Sequence, residues 1–292
     1  MGKIAITERV TGHTELIGLI AYPIRHSMSP TIHNESFKKL GLDYVYVCFE
    51  VDNATLQATV EGLRAMKVRG FNVSMPNKGP ITQYLDALSP VSQIVGACNT
   101  VVNDNGILTG TITDGVGAMQ SLTTEGVEYI GKKMTVLGAG GAATAIEVQA
   151  ALDGVRELTI FNQKDAFFEK AQDTAKKLRE RTNCIVNVYD LADHAKLREE
   201  LDNSDIYIDS TSCGMKPLED VVAIPDKSYL RPDLIVMDTV YAPRQTKLLQ
   251  WAEEIGCKNF NGLGMMLYQG AAAFKLWTGK DMPVDFIKEV LF

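Results

Sequence analysis

Short apolar, β-branched runs recur along the chain and alternate with stretches of helical period. The runs 15–20 (ELIGLI), 44–50 (YVYVCFE), 70–74 (GFNVS), 134–138 (MTVLG), 157–161 (ELTIF), 185–189 (IVNVY), 205–209 (DIYID) and 234–238 (LIVMD) predict strands. The stretches 53–67, 141–153, 166–182 and 246–255 between them predict helices. Such alternation implies parallel sheets with right-handed crossovers, so the whole chain reads as α/β. The segment GAMQSLTTEGVEYIGKK reads as a connecting helix and turn, and its lysine pair ends just before a new apolar strand. The tail FNGLGMMLYQGAAAFKLWTG reads as a glycine-interrupted amphipathic helix that returns to the first domain. Two domains follow: residues 1–115 with 262–292, and residues 116–261.

Composition changes this picture little. A chain of 292 residues is long for one core and comfortable for two. With 46% hydrophobic and 22% charged residues it is an ordinary globular protein. A net charge of -7 argues against a general affinity for nucleic acid or anionic membranes. Lys3, Glu8 and Arg9 interrupt any apolar leader, Ile6 breaks the myristoylation pattern, and no apolar run approaches the roughly 18 residues that span a bilayer. Cys48, Cys98, Cys184, Cys213 and Cys257 are scattered and odd in number, which suits reduced thiols in the cytoplasm. The histidines are scattered too, His26 and His33 reading as local or surface residues, so no metal is expected.

The run Val136-Leu137-Gly138-Ala139-Gly140-Gly141-Ala142-Ala143 follows a strand and opens a helix. Gly138, Gly140 and Ala143 form G-x-G-x-x-A. The first glycine permits the tight turn and the second lets backbone approach a pyrophosphate; the small third residue lets helix and strand pack closely. With strands on both sides the unit is βαβ, which points to a dinucleotide over a bare glycine-rich turn or an adenosylmethionine site. No Gly-Lys-Ser/Thr follows, which excludes a phosphate-binding P-loop. Cofactor choice is read at Asn162-Gln163-Lys164-Asp165. An acidic residue there accepts hydrogen bonds from the ribose, whereas a 2′-phosphate calls for arginine. Asp165 without arginine favours NAD, and Lys164, which softens the repulsion, leaves NADP open. Asp165 also suits the N-cap of the helix beginning near Ala166.

Polar clusters close several apolar strands of the first half. In His26-Ser27-Met28-Ser29-Pro30, Ser29 before proline reads as a helix cap, which leaves the Ser27 hydroxyl free. In Asn72-Val73-Ser74-Met75-Pro76-Asn77-Lys78, alternation puts Asn72 and Ser74 on one face, with Lys78 on a new turn. Asn99 lies in the small-residue turn Gly96-Ala97-Cys98-Asn99-Thr100, and Asp114 in Thr113-Asp114-Gly115 reads equally as an N-cap. Hydroxyl, amide, ammonium and carboxylate groups on neighbouring loops suit a polyhydroxylated, anionic small molecule.

These motifs, in this order, resemble the shikimate dehydrogenase family, nearest its quinate/shikimate branch: S-x-S-P (27–30), N-V-S-M-P-N-K (72–78), G-A-C-N-T (96–100), T-D-G-x-G (113–117), G-A-G-G-A-A (138–143) and Gly262-Leu263-Gly264-Met265-Met266-Leu267-Tyr268-Gln269-Gly270. The resemblance implies an N-terminal substrate-binding domain, a Rossmann-like dinucleotide-binding domain, and C-terminal helices returning to the first. It implies reversible oxidation of shikimate to 3-dehydroshikimate, of quinate to 3-dehydroquinate, or both, by a monomer or homodimer. Ser27 and Ser29 would bind the substrate carboxylate, with Tyr241 nearby, and Asn72, Ser74, Asn99 and Gln269 the ring hydroxyls. Lys78 and Asp114 would form the catalytic pair, and Gly262 and Gly264 would line the nicotinamide site. Which member of the pair is the base stays open, because burial would favour a neutral lysine and an adjacent carboxylate a charged one.

Three departures touch the pocket and cofactor loop. Ile112 stands where most of the family has asparagine, Asn77 where histidine is common, and Asn-Gln-Lys-Asp where NADP-specific members have Asn-Arg-Thr. Two other readings compete: a non-catalytic dinucleotide-binding regulator, which loss of Lys78 or Asp114 would have favoured, and another two-domain dehydrogenase, which the paired serines disfavour.

Overall fold

The computed structural model describes residues 10–291, so Lys3, Ile6, Glu8 and Arg9, on which the reading against a leader rests, lie outside it. The chain forms two compact units, one running to Thr113 and resuming at Gln269, the other Asp114–Tyr268.

The first unit is built on β1 (Glu15–Ala21), β2 (Tyr44–Glu50), β3 (Gly70–Val73), β4 (Ala87–Leu88), β5 (Thr100–Asp104) and β6 (Ile107–Thr111), in the order β2-β1-β3-β5-β6-β4. Helices α1 (Ser29–Leu40), α2 (Leu56–Ala65) and α3 (Pro90–Val95) connect these strands. The β1–β2 and β1–β3 pairs are parallel, but β3–β5 and β5–β6 are antiparallel, so this sheet is mixed and departs from the all-parallel expectation. The cause is a two-residue hairpin: Asn105 and Gly106 both adopt positive φ (54° and 94°), the backbone that closes a tight antiparallel turn. Ile20, Phe71, Val73 and Val101 pack with Leu56, Val60 and Leu63 of α2 in one core. On the opposite face, His33 stacks with Tyr46 and Phe274 and meets Trp277 edge-on, and Phe37 stacks with Phe274.

Gly70 is required by that second face. A Cβ there would run into the Trp277 indole and come within 2.5 Å of the Val101 carbonyl, the group that accepts the indole N–H at 2.9 Å. Gly70→Ala is expected to destabilise the protein by about 1–3 kcal/mol through overpacking. In Gly62→Ala on α2 the added methyl meets nothing within 4 Å, and stability should rise by about 0.5–1 kcal/mol. Paired thermal unfolding scans check both; equal midpoints for the two variants would contradict the packing account.

The second unit carries β7 (Lys133–Leu137), β8 (Glu157–Asn162), β9 (Ile185–Asp190), β10 (Ile206–Asp209), β11 (Ile235–Asp238) and β12 (Asn259–Phe260), ordered β12-β11-β10-β7-β8-β9 and parallel throughout. That is the doubly wound dinucleotide-binding order, with its switch point at β7. Its helices are α4 (Asp114–Thr124), α5 (Gly141–Asp153), α6 (Ala166–Arg181), α7 (His194–Asp202) and α8 (Lys247–Ile255). Lys133 joins β7, although it reads as the polar end of the linker, because its ammonium pairs with Glu157 at 2.9 Å and Glu200 at 2.7 Å.

Helix α9 (Leu263–Thr278) begins in the second unit and ends in the first, followed by α10 (Val284–Leu291). The compact units divide at 113/114 and 268/269, against expected boundaries at 115/116 and 261/262. The later second boundary follows from two close approaches within the second unit: a Cβ at Gly262 would collide with the Thr239 carbonyl, and one at Gly264 with the Ser121 side chain. Among the described residues no helix is long and apolar enough to cross a membrane, and no group of three or more His, Cys, Asp or Glu could hold a metal ion.

Candidate active site

The glycine turn lies between β7 and α5. Gly138 has φ +106°, and a Cβ there would lie 2.7 Å from the Ser210 carbonyl, so both conformation and space demand glycine. Gly140 is the N-cap of α5 and offers no side chain to its first-turn N–H groups. A Cβ at Gly140 or Gly141 would meet nothing within 4 Å, and Ala142 is exposed, whereas Ala139 and Ala143 are buried in the core. Uncapped helix N–H groups beneath open space fit a pyrophosphate.

At the end of β8, Asp165 caps α6: its Oδ1 accepts from Phe167 N (2.8 Å), Phe168 N (3.2 Å) and Asn162 Nδ2 (2.9 Å). Lys164 pairs with Asp190 at 3.4 Å. Thus Asn162, Lys164 and Asp165 form one loop whose conformation the aspartate holds.

In the first unit two expected substrate residues, Asn72 and Asn99, share one hydrogen-bonded network with Tyr46, Thr100 and Thr113. Asn72 Nδ2 donates to the Asn99 carbonyl and to Thr100 Oγ1, each at 3.0 Å, and Asn72 Oδ1 accepts from the Tyr46 phenol at 2.7 Å. Asn99 Oδ1 accepts from Thr100 Oγ1 (2.9 Å), Thr113 N (2.9 Å) and Thr113 Oγ1 (3.2 Å), which fixes its amide flip. Tyr46, Thr100 and Thr113 were not singled out from sequence. Strand alternation could mark Tyr46 as a core position, but nothing local names a partner 26 residues away.

The start of α1 corrects one expectation. Met28, not Ser29, is the N-cap of α1, and no side chain caps it. Ser27 Oγ accepts from Ser29 N–H at 3.2 Å, so its oxygen is engaged within the turn while its own O–H is left to donate. His33 is likewise no surface residue: it is buried among aromatic rings, and burial lowers its pKa to about 3, which keeps it neutral.

Ser74 follows β3, its N–H donating to the Ile20 carbonyl at 3.0 Å. Lys78 sits half-buried on a turn that is pinned on both sides. Asn77, fully buried, donates to the Val51 carbonyl at 2.8 Å, and the Lys78 carbonyl accepts from Cys98 N–H at 2.8 Å. Burial pushes the Cys98 thiol up to about 12, partly offset by hydrogen bonds and by the Lys78 charge, so this cysteine is no nucleophile. Ile112, in the position where the family carries an amide, is buried. Asp114, buried, is the first residue of α4 and belongs to the second unit, as does Tyr241, which is exposed. Gln269 is half-buried on the first-unit portion of α9.

Two buried carboxyls lie side by side at the ends of the neighbouring strands β10 and β11. Asp209 accepts from Tyr207 and Thr211, Asp238 from Thr246 and Val240, and the two are register partners. Burial, with the neighbouring Asp209 adding to it, pushes Asp238 up to about 7.

A doubly wound unit with a glycine turn, joined to a unit rich in hydroxyl- and amide-bearing loops, defines a two-domain oxidoreductase that uses a nicotinamide dinucleotide. Residues 19–101 match the model for the shikimate dehydrogenase substrate binding domain, and 262–292 the shikimate 5′-dehydrogenase C-terminal domain. A protein of Listeria innocua serovar 6a named shikimate dehydrogenase (NADP(+)) is 60% identical over 98% of this chain and 99% of its own length. The structure of shikimate 5-dehydrogenase from Listeria monocytogenes in complex with shikimate and NAD superposes with a TM-score of 0.96 at 60% identity, covering 98% of this chain and 99% of that one. Quinate dehydrogenase from Corynebacterium glutamicum in complex with NAD gives 0.83 at 26% identity, over 94% and 98% of the two chains. The chain belongs to the shikimate dehydrogenase family.

Proposed function

We propose that this protein oxidises shikimate reversibly to 3-dehydroshikimate, with quinate as a second substrate. The observation that carries the reading is the intact polar set, Ser27, Ser29, Asn72, Ser74, Lys78, Asn99, Asp114, Tyr241 and Gln269, in a chain 60% identical to shikimate dehydrogenases along nearly its whole length. Ser27 and Ser29 hold the carboxylate, with Tyr241 beside it, and the amides of Asn72, Asn99 and Gln269 with the Ser74 hydroxyl hold the ring hydroxyls. When bound, the dinucleotide supplies the hydride acceptor. As the carbinol C–H gives up its hydride, the Lys78 amine takes the hydroxyl proton and Asp114 orients both the lysine and the hydroxyl. The cytoplasm is the setting, supported by five cysteines, all free thiols.

Of the two dinucleotides, NAD is the preferred one in this reading. The loop after β8 presents the Asp165 carboxylate without an arginine, and its lysine is drawn to Asp190. A 60% identical relative is named for NADP(+), so the two dinucleotides are compared directly. Nicotinamide reduction followed with both substrates and both dinucleotides decides it. A higher kcat/KM with NAD is the expected result; preference for NADP would mean that Lys164 leaves Asp190 to meet the 2′-phosphate. Quinate turnover within about tenfold of shikimate would support the second substrate, since discrimination by one hydroxyl in a permissive pocket is modest. No turnover of either would overturn the function.

A further inference from the structure

Asp209 and Asp238 close their strands in the same way at first. Asp209 Oδ1 accepts from Thr211 N–H at 3.0 Å and Asp238 Oδ1 from Val240 N–H at 2.9 Å, so each carboxyl turns its own chain. The second oxygens differ. Asp209 Oδ2 accepts from the Tyr207 phenol on its own strand, whereas Asp238 Oδ2 accepts from Thr246 Oγ1 at 2.6 Å, eight residues further on. Thr246 is itself buried and caps α8, its oxygen accepting from Leu249 N–H at 3.4 Å. One carboxylate therefore clasps both ends of the segment 239–246. The base of that segment is held as well: Thr239 N–H donates to the Asp209 carbonyl at 2.9 Å, and the Val240 carbonyl accepts from Gly262 N–H at 3.0 Å. Between the clasped ends stands Tyr241, 47% exposed. An asparagine could form the turn alone, but its amide offers one acceptor oxygen, and Val240 N–H and the Thr246 hydroxyl need two. Burying a carboxylate beside a second one is costly, and the double acceptor is what that cost secures.

We infer that Asp238 is a positioning residue for the substrate, its two oxygens fixing the span of the segment 239–246 and with it the place of Tyr241. The inference rests on the substrate reading above, in which Tyr241 lies beside the substrate carboxylate. Asp238 acts through Tyr241 and takes no part in the proton transfer, so its loss acts on substrate binding and leaves the chemical step alone.

Asp238→Asn tests this, keeping the shape and one acceptor while replacing the other with a donor. KM for shikimate is expected to rise about tenfold, as for a lost charged hydrogen bond, with kcat within about threefold. KM for the dinucleotide should not change. Thr246→Val breaks the same clasp from its other end and should raise shikimate KM likewise, so the test stands even if Asp238→Asn does not fold. Thr246→Ser restores the hydroxyl and should remove most of that rise. The effect of Asp238→Asn or of Thr246→Val should shrink at least about threefold in a Tyr241→Ala background, because residues acting through one another are not additive. A role confined to stability would lower the thermal midpoint without this split, rescue or coupling. In an active wild type, a shikimate KM unaltered by both Asp238→Asn and Thr246→Val, or full additivity with Tyr241→Ala, overturns the inference alone. A wild type that neither turns over nor binds shikimate overturns the parent reading and the inference together.

Discussion

Lys78→Ala is expected to lower kcat for shikimate oxidation by about 10²–10⁴-fold, the usual contribution of a positioned proton acceptor. The fold should tolerate the change. The turn is held by the buried Asn77 side chain on the Val51 carbonyl, by Asn77 N–H on Ser74 (2.9 Å) and by Cys98 N–H on the Lys78 carbonyl, none of which uses the lysine side chain. Shikimate KM should therefore shift far less than kcat, the pattern of an interaction made in the transition state. Steady-state kinetics beside a thermal scan reads both quantities. Turnover within about tenfold of wild type, with the fold intact, would remove lysine from the proton-acceptor role and transfer it to Asp114. Asp114→Asn completes the pair: with lysine as base it should cost less than Lys78→Ala, and the reverse ranking would exchange the roles.

The second large effect concerns stability. Glu147, on α5, is fully buried, and neither carboxyl oxygen has a hydrogen-bond partner. Burial pushes its pKa up to about 8, against an opposing pull from Lys170. The folded value therefore lies above the unfolded one of 4.5. For such a raised acid, stability is fully present below about pH 4.5 and is lost as pH climbs toward about 8, because the unfolded chain gains by ionising while the folded chain cannot. The loss across that window is on the order of a few kcal/mol. Glu147→Leu has no carboxyl to ionise, so its advantage over wild type should grow from about pH 5 to about pH 8 and then level off. Urea unfolding at several pH values gives the comparison. Asp238 contributes a fall of the same sign and remains in the variant, so the informative quantity is the difference between the two proteins. Parallel curves would mean that the Glu147 carboxyl finds water or a cation.

Much of the second unit is legible along the chain. Inner strands of a parallel sheet are continuous apolar runs, so 134–138, 157–161, 205–209 and 234–238 announce themselves, and the half-exposed edge run 185–189 shows by its β-branched residues; β7 to β11 fall within a residue of these spans. The glycine turn is legible too, since Gly138 has a local conformational cause. The hairpin β5–β6 carried its signal, Asn105-Gly106, but its strands have few apolar residues and read as polar loop around Asn99. The two-residue strands β4 and β12 are too short for any periodicity to show.

Individual chemistry divides the same way. The polar residues at 27–29, 72–78, 99 and 114 stand out because such groups rarely cluster at strand ends without a use, and their order carried the family. Local sequence could not weigh Ser29 against Met28 as the cap, because the cap depends on backbone dihedrals that Ser27 and Pro30 set together. Nor could it tell Tyr46 from Tyr44, or Glu147 from any polar position on a helix face. Burial of Tyr46 depends on α1 and α9 meeting over β2, and its hydrogen bond on the parallel register that sets Tyr46 and Asn72 against β1. Composition, element type and the catalytic inventory are properties of short stretches of chain, set by side-chain period and turn conformation. Which side chains share a proton, a stack or a dry pocket is set by contacts between distant segments, and only the tertiary structure decided that.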